Sequence, residues 1–431
     1  MTRLCAVILI CLWAGRGAAE VTDPGRAVFE GLPDAPGHVV IGSDAAPVSR
    51  FPCQSCHRRD GRGGGEGDAP PITWEVLTRP SGTRPAYDAR SFAHLLATGE
   101  APSGRRISRL MPRYAFDDGT VTSLIAHLSA LTAEQRTGIL PDRIVFGVPV
   151  PDNEASDGHL LIQSLETALA AKMPPNGLHG RRVEIRPLRG GAASILNRAR
   201  TETVAILSPP PSRDFDRSRF TEAGVPVLFP LESVSETEDP ALVRSLYASR
   251  ERVVEQLVRK AISDGCQQVA IAAATPAKVA EVRARLPQPD MAKITSSNGA
   301  SDCILIVGGD VGPEAHDTAR AIYILSEEVT GLQAMLRGFR GTIVVGRHES
   351  TALGLAKARK IGPLEAHAML IAAALHDALT SAGRDLTRTS LISGIGAVSR
   401  HDLGLEFSGN RPVGSDKVVF QVFEVRGEPV P

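Results

Sequence analysis

The hydrophobic rhythm of the chain changes twice. Behind Arg3, Leu4 to Ala14 form an eleven-residue apolar run that ends in the small residues Gly17-Ala18-Ala19. The run is too short to span a bilayer, and its order of charged, apolar and small segments is that of a secretion signal cleaved before Glu20. Residues 20–131 follow with helical spacing. Asp23-Pro24 offers a cap and a first-turn proline. Val121, Leu124, Ile125, Leu128 and Leu131 form one apolar stripe behind a cap at Asp117 or Asp118. Residues 132–142 are a polar connector. From residue 143 the pattern becomes short apolar runs between amphipathic stretches. Strands are predicted at 144–148, 182–188, 203–207, 225–229, 269–273, 303–307, 342–345 and 417–425. Helices are predicted at 160–171, 192–200, 246–263, 277–286, 314–323 and 365–382. Such alternation implies parallel sheets with helices on both faces. There are too many strands for one small sheet, and the long helix near Arg250 lies midway, so two doubly wound lobes are expected.

Composition narrows the classes. The chain has 431 residues, 42% hydrophobic and 22% charged, with 48 basic residues against 48 acidic ones. No basic excess points to nucleic acid, and nothing after the signal is long and apolar enough to span a membrane. Aromatic residues are only 4%, so the cores must rest on Ala, Val, Leu and Ile.

Of the six cysteines, Cys5 and Cys11 leave with the signal. Cys53-Gln54-Ser55-Cys56-His57 is C-x-x-C-H, the haem attachment pattern. Two thiols one helical turn apart can both add to the vinyl groups, and the adjacent imidazole then falls under the iron. A redox dithiol and half a zinc site are the alternatives. The secretion signal, the following histidine and the lack of a second cysteine pair at zinc spacing speak against both. Met111-Pro112, 54 residues after His57, sits in a loop ahead of the last helix and offers a thioether as sixth ligand. His94 and His127 are its rivals, His127 being expected to face solvent.

Residues 23–131 resemble a class I cytochrome c. The likeness rests on Cys53-x-x-Cys56-His57, the glycine stretch Asp60 to Gly65, the Ala69-Pro70-Pro71-Ile72 turn and Met111-Pro112-Arg113-Tyr114. It implies an all-α domain with one covalent haem c, axial ligands His57 and Met111, and a carbonyl of Pro70 or Pro71 accepting from the histidine. Arg58 stands where many relatives have glycine. Arg105, Arg106, Arg109 and Arg113 cluster around the methionine loop, either for propionates and an acidic redox partner or as a solvated face. Trp74 packs on the haem or in the core.

Residues 143–426 resemble type I periplasmic solute-binding proteins of the branched-chain amino acid type. The likeness rests on the Ala/Leu-rich helix 365–382, the Gly383-Arg384-Asp385-Leu386-Thr387-Arg388 turn, the glycine-containing loops after it and the last strand. It implies two lobes, a hinge of about three crossings and a ligand cleft between them. Ser208 and Glu232-Ser233 lie in the loops where the family holds a ligand. Tyr247, Arg250, Gly308-Gly309-Asp310 and Ser326-Glu327 follow later elements and could line the cleft. Pro209-Pro210-Pro211 removes three N–H donors, so branched-chain amino acids are not expected as tight ligands. Cys266 and Cys303 each sit just before or at a predicted strand of one lobe. They are expected to form a disulfide if those strands are neighbours; two separate thiols are the alternative.

No G-x-S-x-G, H-E-x-x-H or G-x-G-x-x-G pattern marks a catalytic centre. His316, His348, His367 and His376 read as surface or hydrogen-bonded histidines. The chain is thus expected to be a non-enzymatic periplasmic protein: signal 1–19, cytochrome c domain 20–131, linker 132–142 and solute-binding-like domain 143–431. Its expected role is mono-haem electron transfer to or from a redox partner, with a sensor or docking domain for a small molecule, as an accessory of a periplasmic dehydrogenase. The alternatives are an ABC-transporter solute-binding receptor that carries a haem domain, and a subunit of a periplasmic oxidoreductase.

Overall fold

The computed structural model describes residues 23–64, 69–150, 155–209, 215–273, 275–286, 290, 292–296, 301–308, 319–329 and 339–425. The signal segment and Asp310 lie outside them. The chain divides into two compact units, residues 1–134 and 135–431.

The N-terminal unit begins with α1 (Pro24–Glu30), capped by the Asp23 side chain on the Gly25 amide at 2.9 Å. The strands β1 (His38–Ile41) and β2 (Asp44–Pro47) follow, then α2 (Cys53–His57), α3 (Trp74–Thr78) and α4 (Ala89–Thr98). After β3 (Arg113–Ala115), α5 (Asp118–Gln135) closes the unit. Asp117 caps α5 through the Thr120 amide at 2.7 Å. Val121, Leu124, Leu128 and Leu131 are buried, as the stripe requires, and each large side chain so placed stabilises by about 1.5–3 kcal/mol. Helix α1 crosses α5 at Gly25, where an added Cβ would come within 2.0 Å of the Ser123 carbonyl oxygen.

The all-α expectation for this unit is corrected. Three strands form an antiparallel sheet in the order β2-β1-β3. Ile41 pairs with Asp44 across a two-residue turn in which Gly42 takes φ 64°, and Val39 pairs with Tyr114. Val39 and Tyr114 are both buried, so the β-branched run 39–41 and the turn glycine outweigh any helical pattern here.

In the second unit, β4 (Arg143–Pro149), β5 (Arg182–Leu188), β6 (Ala205–Leu207), β7 (Val227–Leu228) and β8 (Val243–Arg244) form a parallel sheet in the order β5-β4-β6-β7-β8. The helices α6 (Ala155–Lys172), α7 (Ala192–Glu202) and α8 (Arg217–Glu222) alternate with its strands. The second lobe starts with α9 (Arg250–Ser263), β9 (Val269–Ala273) and α10 (Pro276–Ala284). β10 (Ile294–Ser296), β11 (Cys303–Val307), β12 (Ala321–Leu325) and β13 (Gly341–Arg347) complete its parallel strands. The order β10-β9-β11-β12-β13 repeats that of the first lobe. Later in the chain come β14 (Ser399–Arg400) and β15 (Leu405–Glu406), a two-stranded ribbon, and β16 (Val419–Val425), which joins β13 antiparallel. Strands β4, β11 and β12 are buried on both faces, as parallel strands covered by helices must be.

The helix expected at 314–323 is corrected at its end, residues 314–318 lying outside the described ones. Residues 321–325 are β12, paired with β11 and β13, because Ala-Ile-Tyr-Ile-Leu is a β-branched and aromatic run with every residue buried. The helix expected from Leu246 starts instead at Arg250, with Ser249 as its side-chain cap, and residues 245–249 cross between lobes.

Two further crossings join the lobes, at 348–349 and at 413–418. Between them the helices Ser350–Arg359, Pro363–Ala382 and Arg388–Gly396 pack into the core of the first lobe with Phe146, Leu165 and Leu207. The first and third crossings are stitched together: Ser245 N donates to Pro412 O at 2.7 Å, and Gly414 N to Ser245 O at 2.9 Å. Cys266 and Cys303 are joined by a disulfide, Cα–Cα 6.0 Å, with Cys303 opposite Val269 of the neighbouring β9.

Candidate functional site

The C-x-x-C-H segment of the N-terminal unit is the one-and-a-half-turn helix α2, which puts Cys53, Cys56 and His57 on adjacent turns. His57 is buried, and its Nδ1 lies 2.7 Å from the Pro70 carbonyl oxygen. Burial lowers its pKa, against the raising effect of that bond. The ring is therefore neutral at neutral pH, with Nε2 as the nitrogen left for a metal. Pro70, not Pro71, is the second partner of the ring. Burial pushes the Cys53 thiol up to about 12, the opposite of what a redox dithiol needs. Two thiols outside any disulfide, a neutral oriented imidazole and Met111 packed on the core that also receives Cys53 and Trp74 are a donor set that fits a covalent haem. Tyr114 holds the segment in place by donating to the Phe51 carbonyl at 2.8 Å.

Around the methionine loop, Arg113 donates to the carbonyls of Met111 and Pro112. Its guanidinium lies over Gly99, where an added Cβ would meet Cζ at 2.1 Å. Arg113 is thus a clamp on the loop, whereas Arg105, Arg106 and Arg109 are exposed. His94 is exposed and turned toward Glu100 at 3.8 Å. His127 does not face solvent as expected: it packs on Phe29 with ring centroids 5.0 Å apart, and burial lowers its pKa. Trp74 packs edge-on against Phe92 at 5.6 Å.

In the second unit, the carboxyl ends of the central strands carry the residues that sequence reasoning assigned to a cleft. In open α/β sheets this edge, at the switch in strand order, is where ligands bind. Ser233, in the loop after β7, meets the carboxylate of Glu327, just after β12: its amide donates at 3.1 Å and its hydroxyl at 2.8 Å. Arg250 at the start of α9 pairs with the same carboxylate at 3.0 Å and also with Glu328. Gly308 N donates to Glu328 at 3.0 Å, and burial raises the Glu328 pKa. Glu232 is tied up by Arg217, which also holds Glu238 at 2.8 Å. Ser326 is half-buried beside this cluster in sequence.

Ser208 and Tyr247 belong to a separate, buried group. The Ser208 hydroxyl lies 3.0 Å from His367 Nε2, and His367 Nδ1 is hydrogen-bonded to the Tyr247 hydroxyl. Burial pushes the His367 pKa down to about 3 and that of Tyr247 well above its ordinary value, so both are neutral. Ser208 has φ 45°, unusual for a residue with a side chain. The grouping looks like an activated serine, but the Ser208 amide donates to Leu228 O at 2.9 Å. The trio is a buried brace for the end of β6. Sequence reasoning missed His367 as its centre. The signal was a histidine set between Ala366 and Ala368 on an Ala/Leu-rich helix.

No family model matches the chain, and no curated protein matches it. Solved structures do. An extracellular ligand-binding receptor from Verminephrobacter eiseniae is 15% identical, with 65% of this chain and 99% of that one covered at TM-score 0.46. A fatty acid ABC transporter substrate-binding protein from Thermomonospora curvata is 14% identical over 66% and 89%, TM-score 0.43. A leucine-binding protein from Thermotoga maritima is 14% identical over 65% and 98%, TM-score 0.43. At these scores the likeness adds nothing to the architecture already set by the two sheets and three crossings. One expectation is corrected: cytochrome c, haem and electron transfer do not describe what this chain is similar to. The structures it matches are ligand- and substrate-binding proteins, spread over about two thirds of its length.

Proposed function

We propose that this chain is a periplasmic solute-binding receptor of the kind that serves an ABC transporter, and that its N-terminal unit carries a haem. The observation that carries the receptor reading is the pair of like-ordered sheets, joined by three crossings, whose carboxyl edges meet at Ser233 and Glu327. That geometry binds a small solute by closing on it, and uses no catalytic group. In the N-terminal unit, Cys53 and Cys56 would attach a haem c, and His57 and Met111 would ligate its iron. The group supplies a redox-active iron. The residues of the chain orient it: Pro70 fixes the tautomer and plane of His57, and Arg113 holds the carbonyl of Met111.

Two measurements test the reading. A thermal-shift screen of amino acids, fatty acids and alcohols against the full chain should find a solute with a saturable calorimetric isotherm. Leucine, isoleucine and valine are not expected among micromolar binders. A screen of all three classes without any saturable binder would sink the receptor reading. For the N-terminal unit, the chain expressed with haem-attachment machinery should retain haem colour after denaturation, and C53A/C56A together should lose it. Haem retained by that denatured double variant would refute covalent attachment at this site.

A further inference from the structure

The loop that holds Ser233 leaves the first lobe and is bonded to the second at several points. Ser235 Oγ donates to Glu251 at 2.8 Å, and Glu236 N donates to the same carboxylate at 3.0 Å. Arg285 pairs with Glu236 at 2.9 Å, and His348 Nε2 lies 3.0 Å from the Leu231 carbonyl oxygen. From the first-lobe side Arg217 anchors the loop through Glu232 and Glu238. Within this strap one contact has the form of ligand recognition: a carboxylate received by a backbone amide, a hydroxyl and a guanidinium, with donors from both lobes. Charge-assisted bonds of this kind are about twice as strong as neutral ones. The carboxylate belongs to the protein.

We propose that Glu327 is an internal latch, a carboxylate of the second lobe seated in the donors of Ser233 so that the lobes stay closed with no solute present. Arg250 is its positioning residue. It lies on the same lobe as Glu327 and fixes the carboxylate for Ser233, while Glu328, drawn to Gly308 N and Arg250, keeps the guanidinium from swinging away. The latch goes beyond the receptor reading and does not rest on it, because its test uses no solute.

The test uses the full chain with spin labels carried by genetically encoded residues at the exposed positions 170 on α6 and 259 on α9. Amide exchange is followed in the same samples. Glu327→Ala should lengthen the label distance. It should also speed exchange of the Ser233 amide roughly tenfold, which corresponds to about 1.4 kcal/mol. Glu327→Gln, which keeps the shape and loses the charge, should move both readouts the same way by less, and carries the test if the alanine variant does not fold. Ser233→Ala should lengthen the distance in the wild-type background and add nothing in the Glu327→Ala background. Unchanged distance and exchange in the Glu327 variants would overturn the latch, since the strap would then move with the second lobe whatever Glu327 does.

Discussion

In the N-terminal unit the candidate chemistry, Met111 apart, falls within residues 53–70: two thiols and an imidazole on one short helix, and a carbonyl that turns the imidazole. In the two-lobed unit the corresponding contact joins Ser233 to Glu327 across 94 residues. The first site is set by helix geometry and one turn. The second exists only if two sheets form, each in its own register, and three crossings bring their carboxyl edges together. A local site can therefore tolerate a loosened domain, whereas a cleft site is hostage to the stability of both lobes.

The sharpest way to break that contrast is to weaken one lobe without touching the cleft. The Cys266–Cys303 disulfide spans a sequence separation of 37. By the loop-entropy estimate its removal costs about 4 kcal/mol. C266S/C303S should lower the denaturant midpoint of the two-lobed unit and speed exchange in β9 and β11. The Ser233 amide should follow, because Glu327 is carried by the neighbouring β12. If β9 and β11 loosen while that amide stays protected, the cleft is not hostage to its lobe.

The next test loosens the N-terminal unit instead. An alanine at Gly25 would drive a methyl group into the Ser123 carbonyl, 2.0 Å from its ideal position. Forcing α1 off α5 should cost about 3 kcal/mol. Exchange should quicken in α1 and α5, while the 2.7 Å bond between His57 and Pro70, set within α2 and its turn, persists. The His57 imidazole resonances check this: a ring signal that averages in Gly25→Ala would show that the local site too depends on its domain.

How far each region could be read from the sequence follows the same division. C-x-x-C-H, the Asp23-Pro24 and Asp117 caps and the 121–131 stripe are short-range signals, and the structure places them on helices as spacing requires. Strands 269–273 and 303–307 were legible to the residue because buried parallel strands are continuous apolar runs. The hairpin at 38–47 was not legible, since its strands are only four residues long and mostly exposed, with Val39, opposite Tyr114, the one buried residue in them. Residues 321–323 fall at the end of the helix expected at 314–323, since Ala319, Ile322 and Tyr323 also fit a helical stripe; sheet neighbours decide otherwise. Ser233 and Arg250 were legible as loop residues near a cleft, but Glu327 as their partner was not, because nothing local records a contact across two lobes.

The smallest expected effect concerns His367, whose burial in the first lobe makes it a sensor of that lobe's integrity. Its folded pKa, pushed down to about 3, lies below the ordinary histidine value of 6.5. The unfolded chain therefore binds a proton that the folded chain refuses at any pH between those two values. The stability held by the neutral ring is present above pH 6.5 and is lost as pH falls through that window. By pH 5 the loss from this one group is about 2 kcal/mol. The groups facing the ring are Tyr247 and Ser208 by hydrogen bond, and His348 and Glu349 by charge. Depressed carboxylates elsewhere add acid sensitivity of the same sign, so the measurement is a difference. Denaturation of wild type and His367→Gln is compared at pH 7 and pH 5. The variant, which keeps a hydrogen-bonding side chain and cannot titrate there, should be less stable at pH 7 and lose about 2 kcal/mol less on acidification. Equal losses in both proteins would mean that the first lobe opens around His367 before it unfolds, and that the buried brace behind Ser208 is weaker than its burial implies.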